Sequence, residues 1–263
     1  MNTHTPEIPS ASTWKGRFHV DWVIPVLMRP RKALAEITAQ PKGVWLTPLV
    51  ILCLTGLVAV LVGGPLRQQA ALSGQAELPP DFQWYTPEQQ AQFVQAQSAS
   101  SGTAFVYVFP ALQAVLRVGI GWLIVGALLH LALTLLGARG TMQSAMNLVA
   151  WAGLPFGVRD LVRTLYVLLG HRLIQAPGLS GLLGASPEGS ALFGSELLAL
   201  VDVYLVWHVA LLVIGVRVQS DPGRGRAWGG VALTQAVALL LQALPAYLVG
   251  RLASLTIARP FFF

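Results

Sequence analysis

Asp202, Arg159, Asp160, Arg163 and Arg117 are the residues whose chemistry stands out, because each falls in an apolar run long enough to cross a bilayer. Unpaired, a charge at mid-membrane costs about 2.5 to 3.5 kcal/mol, so each of these side chains asks for a partner. A helix rises about 1.5 Å per residue, which lets depth be read from position in each run. Asp202 falls roughly 6 Å to one side of the midplane, Arg159 and Asp160 roughly 3 to 5 Å, and Arg163 and Arg117 about 9 to 10 Å, all in the same half. Arg159 and Arg163 are one turn apart on one face, and Asp160 reaches Arg163 at next-turn spacing. The spacing therefore predicts an ionic cluster in which Asp202 of the fourth run neutralises an arginine of the third.

Just before Arg159 stands Gly153-Leu154-Pro155-Phe156-Gly157. Proline removes a helix hydrogen bond and glycine admits a neighbouring backbone, so Gly153, Pro155 and Gly157 predict a kink. Two readings stand. Broken helices beside buried charge surround substrate sites in transporters, whereas a packing kink with a structural ion pair needs no ligand. The second is preferred, since no matching broken helix is evident elsewhere in the chain. His130 and His208 fall on the opposite side of the midplane, where they could bind metal or relay protons. No carboxylate is expected at their depth, which favours hydrogen bonds between helices.

Other chemistry leaves little trace. There is no Gly-x-Ser-x-Gly elbow, no His-Glu-x-x-His, no paired aspartates of a headgroup transferase, and no Gly-x-Gly-x-x-Gly opening a helix. The few charges compensate one another, so no catalytic, cofactor-binding or metal-binding residues are assigned and a non-enzymatic protein is expected. Cys53 is the single cysteine, which excludes an internal disulfide and reads as a packing residue.

The elements that must position these residues follow from composition. With 54% hydrophobic and 11% charged residues over 263 positions, the chain is too apolar for a water-facing surface. An all-α, polytopic membrane bundle is predicted, with five transmembrane helices near 44–64, 108–136, 144–170, 194–217 and 229–252. The net charge of +6 resides mostly between the apolar runs, where it orients the protein and meets anionic headgroups; nucleic acid is not an expected partner. Lys15, Arg17, Arg29, Arg31, Lys32 and Lys42 precede the first run, and Arg217, Arg224 and Arg226 lie between the fourth and fifth. The positive-inside rule then predicts a cell-membrane protein with a cytoplasmic N-terminus and the C-terminus on the opposite side, although Arg251 and Arg259 oppose this mildly. A membrane-protein partner or a second copy is a further expected contact.

Four segments are expected: a disordered tail at 1–17, amphipathic interfacial helices at 18–43, the membrane domain at 44–253 and a short tail at 254–263. In the second, Phe18 to Met28 mixes Trp22, Val23, Ile24, Val26 and Leu27 with polar positions, and Pro30 opens a new helix through Ile37. This pair either lies in the headgroup layer or packs its apolar face on the bundle. In the connection near 65–106, Thr86-Pro87-Glu88-Gln89 has the pattern of a capping box opening a helix through Gln97. The Gly- and Ser-rich stretch from Gly178 to Gly194 is expected to be a flexible turn.

The order of these features resembles the Yip domain family, the Ypt/Rab-interacting membrane proteins, and in particular its prokaryotic branch. The resemblance is carried by the lead-in Arg29-Pro30-Arg31-Lys32-Ala33-Leu34-Ala35-Glu36-Ile37 with Pro41, and by the Gly-Ala-Arg-Gly-Thr turn at 137–141. It continues in Ala152-Gly153-Leu154-Pro155 of the third run and in Asp202 to Gly215 with Trp207. It implies a five-helix membrane domain with a cytosolic N-terminus. In eukaryotic members it implies binding of prenylated small GTPases and roles in vesicle traffic. A scaffold or membrane-organising role follows, the alternative being a small transporter that uses the kinked third run and the Asp/Arg cluster.

Overall fold

The computed structural model describes residues 18–74, 82–138, 140–174, 176–183, 190–220 and 222–258. The expected tail at 1–17 lies outside these residues, as do 259–263, Arg139 of the 137–141 turn, and Glu77 and Asp81 of the first long connection. Every regular element among the described residues is helical. In chain order these are α1 (Val23–Met28), α2 (Pro30–Thr38), α3 (Leu46–Gly74), α4 (Pro87–Ser100) and α5 (Phe109–Leu135). They are followed by α6 (Met142–Ala152), α7 (Leu154–Gly170), α8 (Ser190–Leu200), α9 (Val203–Ser220) and α10 (Arg224–Ala258).

Four helical stretches are long and apolar enough to cross a membrane: 46–72, 104–135, 203–220 and 224–248. The fifth expected crossing, at 144–170, is two shorter helices, α6 and α7, divided at Gly153. The expected run at 194–217 is likewise divided, into α8 and α9, and only α9 is long and apolar enough alone. Helix limits also move outward. α3 continues through Pro65 to Gly74, so part of the expected 65–106 loop is helix, and a π-helical turn at Ala104–Val108 leads into α5. α4 opens on a reciprocal capping box, in which the Thr86 N–H donates to Gln89 Oε1 at 3.0 Å and the Gln89 N–H to Thr86 Oγ1 at 3.3 Å.

In the bundle, α3 packs on α7 and α5, α5 on α6 and α10, and α9 on α7 and α10. The N-terminal pair settles the choice left by its amphipathic pattern. Val26, Leu34 and Ile37 have no exposed surface and Ala33 has 3%, because α2 packs against α6 and α9. The other side of the lead-in leaves Phe18, Val20, Ile24 and Met28 exposed beside Arg29, Arg31 and Lys32.

What fixes this pair is a seam of side chains on α6. Chain leaving α2 for α3 is not helical, so its polar groups need partners from elsewhere. Ser144, Asn147 and Trp151, spaced three and four apart, face it together. Ser144 Oγ donates to Thr38 O at 2.9 Å, Asn147 Nδ2 to Lys42 O at 3.1 Å, and Trp151 Nε1 to Val44 O at 2.9 Å. Asn147 Oδ1 accepts the Val44 N–H at 2.9 Å. Adjoining this seam on α6, Leu148 packs its side chain over Gly215 of α9, so that an alanine Cβ there would make the leucine shift.

Candidate functional site

Two helix breaks, one on each side of the α7/α9 contact, build the site. In the first, Gly153 separates α6 from α7 and Pro155 occupies the first turn of α7, where its missing donor costs nothing. The Phe156 N–H donates to Gly153 O at 2.9 Å and so leaves the Ala152 carbonyl without its usual helical donor. His208 of α9 replaces it, with Nδ1 at 2.7 Å from Ala152 O. A carbonyl only accepts, so the proton belongs on Nδ1. His208 is 4% exposed, and its hydrogen bond joins two helices, as its depth suggested.

The second break was not foreseen. Asp202 lies between α8 and α9 rather than inside a continuous helix, and it caps α9: Oδ1 accepts the Leu205 N–H at 2.9 Å. On the α8 side, the Leu179 N–H donates to both Leu198 O at 2.9 Å and Val201 O at 3.1 Å. Gly178, at φ +60°, brings that amide in; a Cβ there would sit 2.7 Å from the carbonyl oxygens of Leu198, Ala199 and Val201. Part of the expected flexible turn is thus the piece that closes a broken helix, while 184–189 lie outside the described residues.

With Oδ1 committed to the cap, Asp202 turns Oδ2 to the arginines of α7. Arg163 Nη2 lies at 3.4 Å and Arg159 Nη1 at 3.6 Å. The side chains of Asp202 and Arg159 are each 11% exposed and that of Arg163 31%. The carboxylate therefore faces three sources of positive potential: two guanidiniums and the N-terminal end of α9. Asp160 differs from the expectation, since it pairs with its neighbour Arg159, Nε to Oδ1 at 3.4 Å, rather than with Arg163. Arg163 is already turned toward Asp202, and adjacent side chains bridge here because the Arg159 chain is long enough to span both acids. Phe156 braces the group, with Arg159 Cζ 4.9 Å from its ring centroid and the His208 ring 4.9 Å away on a tilted plane.

Arg117 of α5 lies within electrostatic range of Arg159, Asp160, Arg163 and Asp202. All five charged residues picked out by depth are thus brought together, but Arg117 makes no hydrogen bond or ion pair with any described residue. Gly157 lies against Leu52 and Thr55 of α3, which gives it a packing place beyond the break itself. His130 is half-buried on α5, and no group of three or more His, Cys, Asp or Glu side chains suited to a metal occurs among the described residues.

Beside the cluster is a partly open cavity of about 540 Å³, lined by α3, α5, α6, α7, α9 and α10 and running along the bundle from Leu49 and Val149 to Arg67 and Leu173. Arg67, Arg117, Arg159, Asp160 and Arg163 contribute its polar wall, with Gln235 and Gln242 from α10. Ser144, Asn147, Trp151 and Gln235 were not picked out from the sequence. For the first three, polar and indole donors at three- and four-residue spacing on an otherwise apolar helix were the available signal.

Apolar helices of membrane-crossing length, with inward charges drawn into an ion-pair network, define an integral, multi-helix membrane protein. The family model of the Yip1 domain matches residues 24–247, most of the chain. This protein belongs to that family. No curated protein and no solved structure matches the chain.

Proposed function

We propose that this Yip1-domain protein, of the prokaryotic branch, is a non-enzymatic organiser of the cell membrane that acts by holding partners and headgroups rather than by transforming a substrate. The observation that carries the reading is the seam on α6. Four hydrogen bonds, three donated by Ser144, Asn147 and Trp151 and one accepted by Asn147, lock the end of the N-terminal pair to the bundle, so that Phe18, Val20, Ile24 and Met28 are held outward beside Arg29, Arg31 and Lys32. An apolar edge with a basic rim suits insertion among anionic headgroups, and a rigid mount turns that contact into a fixed orientation for the bundle. Four of the five ionisable side chains of the cluster, Asp202, Arg159, Asp160 and Arg163, are meanwhile engaged in one another's neutralisation.

The basic lead-in supports a cytoplasmic N-terminus. Five crossings follow if α6 and α7 together cross, with the C-terminus on the opposite side. A reporter fused after Phe263 that proved cytoplasmic would overturn this topology. The second break, at Asp202, favours a competing reading, since two broken helices beside buried charge resemble the surroundings of a transport site. The two are separated by the double variant Asp202→Asn/Arg163→Gln in reconstituted vesicles. The organiser reading expects unchanged solute permeability in wild type and variant, with partners retained in pull-down; a flux that the variant abolishes while still folded and partnered refutes it.

A further inference from the structure

We propose that the cavity beside the ion-pair cluster is a binding site for the phosphate-bearing head of an anionic phospholipid, with Arg117 and Gln235 as its free donors. The assignment goes beyond the organiser reading and does not depend on it, since it concerns a cavity within the bundle to which the basic lead-in contributes no residue.

Charge is the first ground. Four arginines, Arg67, Arg117, Arg159 and Arg163, line the cavity against one carboxylate, Asp160. Even with Asp202 behind the wall counted, two positive charges remain uncompensated. Arg159 and Arg163 are spoken for by Asp202 and Asp160, and Arg67 Nη1 donates to Val60 O at 3.4 Å. Arg117 has no such engagement among the described residues. Guanidinium is the side-chain group best matched to phosphate, because its planar fork donates two parallel hydrogen bonds and is always charged.

An independent observation comes from α10. Gln235 is 7% exposed, it lines the same cavity, and its Nε2 has no hydrogen-bond partner. A buried amide donor without an acceptor is costly, and an acceptor entering the cavity would remove that cost. The two unmet demands, a cation without an anion and a donor without an acceptor, are satisfied together by one anionic group with several acceptor oxygens.

The remainder of the lining selects an amphiphile over a free ion. Leu52, Val125, Phe156 and Leu239 form apolar wall around the polar groups, and these belong to helices of membrane-crossing length or pack on them. A volume of about 540 Å³ takes a headgroup and the first carbons of its chains, and the open side lets the rest of the acyl chains lie against the bundle. A fully hydrated inorganic anion would gain nothing from that wall.

The test uses the full chain, purified in nonionic detergent and stripped of lipid. Its thermal unfolding midpoint is followed during titration with phosphatidylglycerol, phosphatidylcholine of the same chains, or inorganic phosphate. Stabilisation by phosphatidylglycerol alone is expected. Its apparent affinity should fall about tenfold in Arg117→Gln and roughly threefold in Gln235→Leu. Arg224→Gln, a change in an exposed cation outside the cavity, should leave it unaltered. Should Arg117→Gln fail to fold, Gln235→Leu carries the comparison, because it removes a donor and leaves every ion pair intact. Equal stabilisation by the two lipids, an equal effect of inorganic phosphate, or an affinity unchanged in the folded cavity variants would each overturn the assignment.

Discussion

Replacing Asp202 by Asn removes the charge of the carboxylate while keeping an oxygen that can cap α9. Asp202 Oδ2 lies 3.4 Å from Arg163 and 3.6 Å from Arg159, so each gross Coulomb attraction is about 5 kcal/mol at an effective dielectric of 20. Much of that is offset by desolvation of the three groups, and removal of one partner from a buried pair costs about 3 to 5 kcal/mol. Arg163 is 31% exposed and recovers part of its loss by turning outward, whereas Arg159, at 11%, keeps Asp160. The lower end, about 3 kcal/mol, is therefore expected for Asp202→Asn. Asp202→Ala should cost about 1 kcal/mol more, because the Leu205 N–H then loses its cap. The double variant Asp202→Asn/Arg163→Gln should recover more than 1 kcal/mol relative to additivity, on the order found for contacting residues. The assay is a reversible SDS titration in mixed micelles, followed by tryptophan fluorescence. A change within about 0.5 kcal/mol for Asp202→Asn, the range of ordinary surface substitutions, would show that the ion pairs do not hold α7 to α9.

Three other substitutions probe the breaks and the seam. Gly178→Ala should cost at least about 2 kcal/mol, since its φ of +60° disfavours a Cβ and three backbone oxygens at 2.7 Å leave no room for one; stability like that of wild type in the same titration would mean that the α8/α9 closure is not rigid. Asn147→Ala should cost about 3 kcal/mol by stranding the Val44 N–H and the Lys42 carbonyl, and should accelerate hydrogen exchange at the Val44 amide selectively. His208→Phe should cost about 1 to 3 kcal/mol, because the Ala152 carbonyl at the α6/α7 break then has no donor. If His208→Gln, which offers an amide N–H, restores none of that loss, the hydrogen bond is not what matters at this position.

Much of the site was legible because its cost is local. An acid or arginine in an apolar run signals a burial penalty wherever it occurs, and helix rise alone placed Arg117, Arg159, Asp160, Arg163 and Asp202 in one half of the bundle. The Gly153 and Pro155 break was legible for the same reason, since proline's missing donor acts within one turn of chain. Asp202 misled because hydropathy runs unbroken through Val201 and Val203. Its role as a cap depends on Leu179, distant in sequence, taking the carbonyls that α8 leaves free.

By itself the sequence determined the helical membrane class, the approximate positions of its apolar runs, the Thr86 capping box and the existence of a charged cluster that had to be paired. These follow from periodicity, length and burial cost, which act over a few turns of chain. Tertiary structure alone decided that Asp160 bridges to Arg159 and not Arg163, that the N-terminal pair sinks Leu34 and Ile37 into the bundle, and that Arg117 and Gln235 meet in one cavity with donors unspent. Each of those outcomes depends on which polar groups neighbouring helices leave unsatisfied, and that is fixed only when the helices are packed.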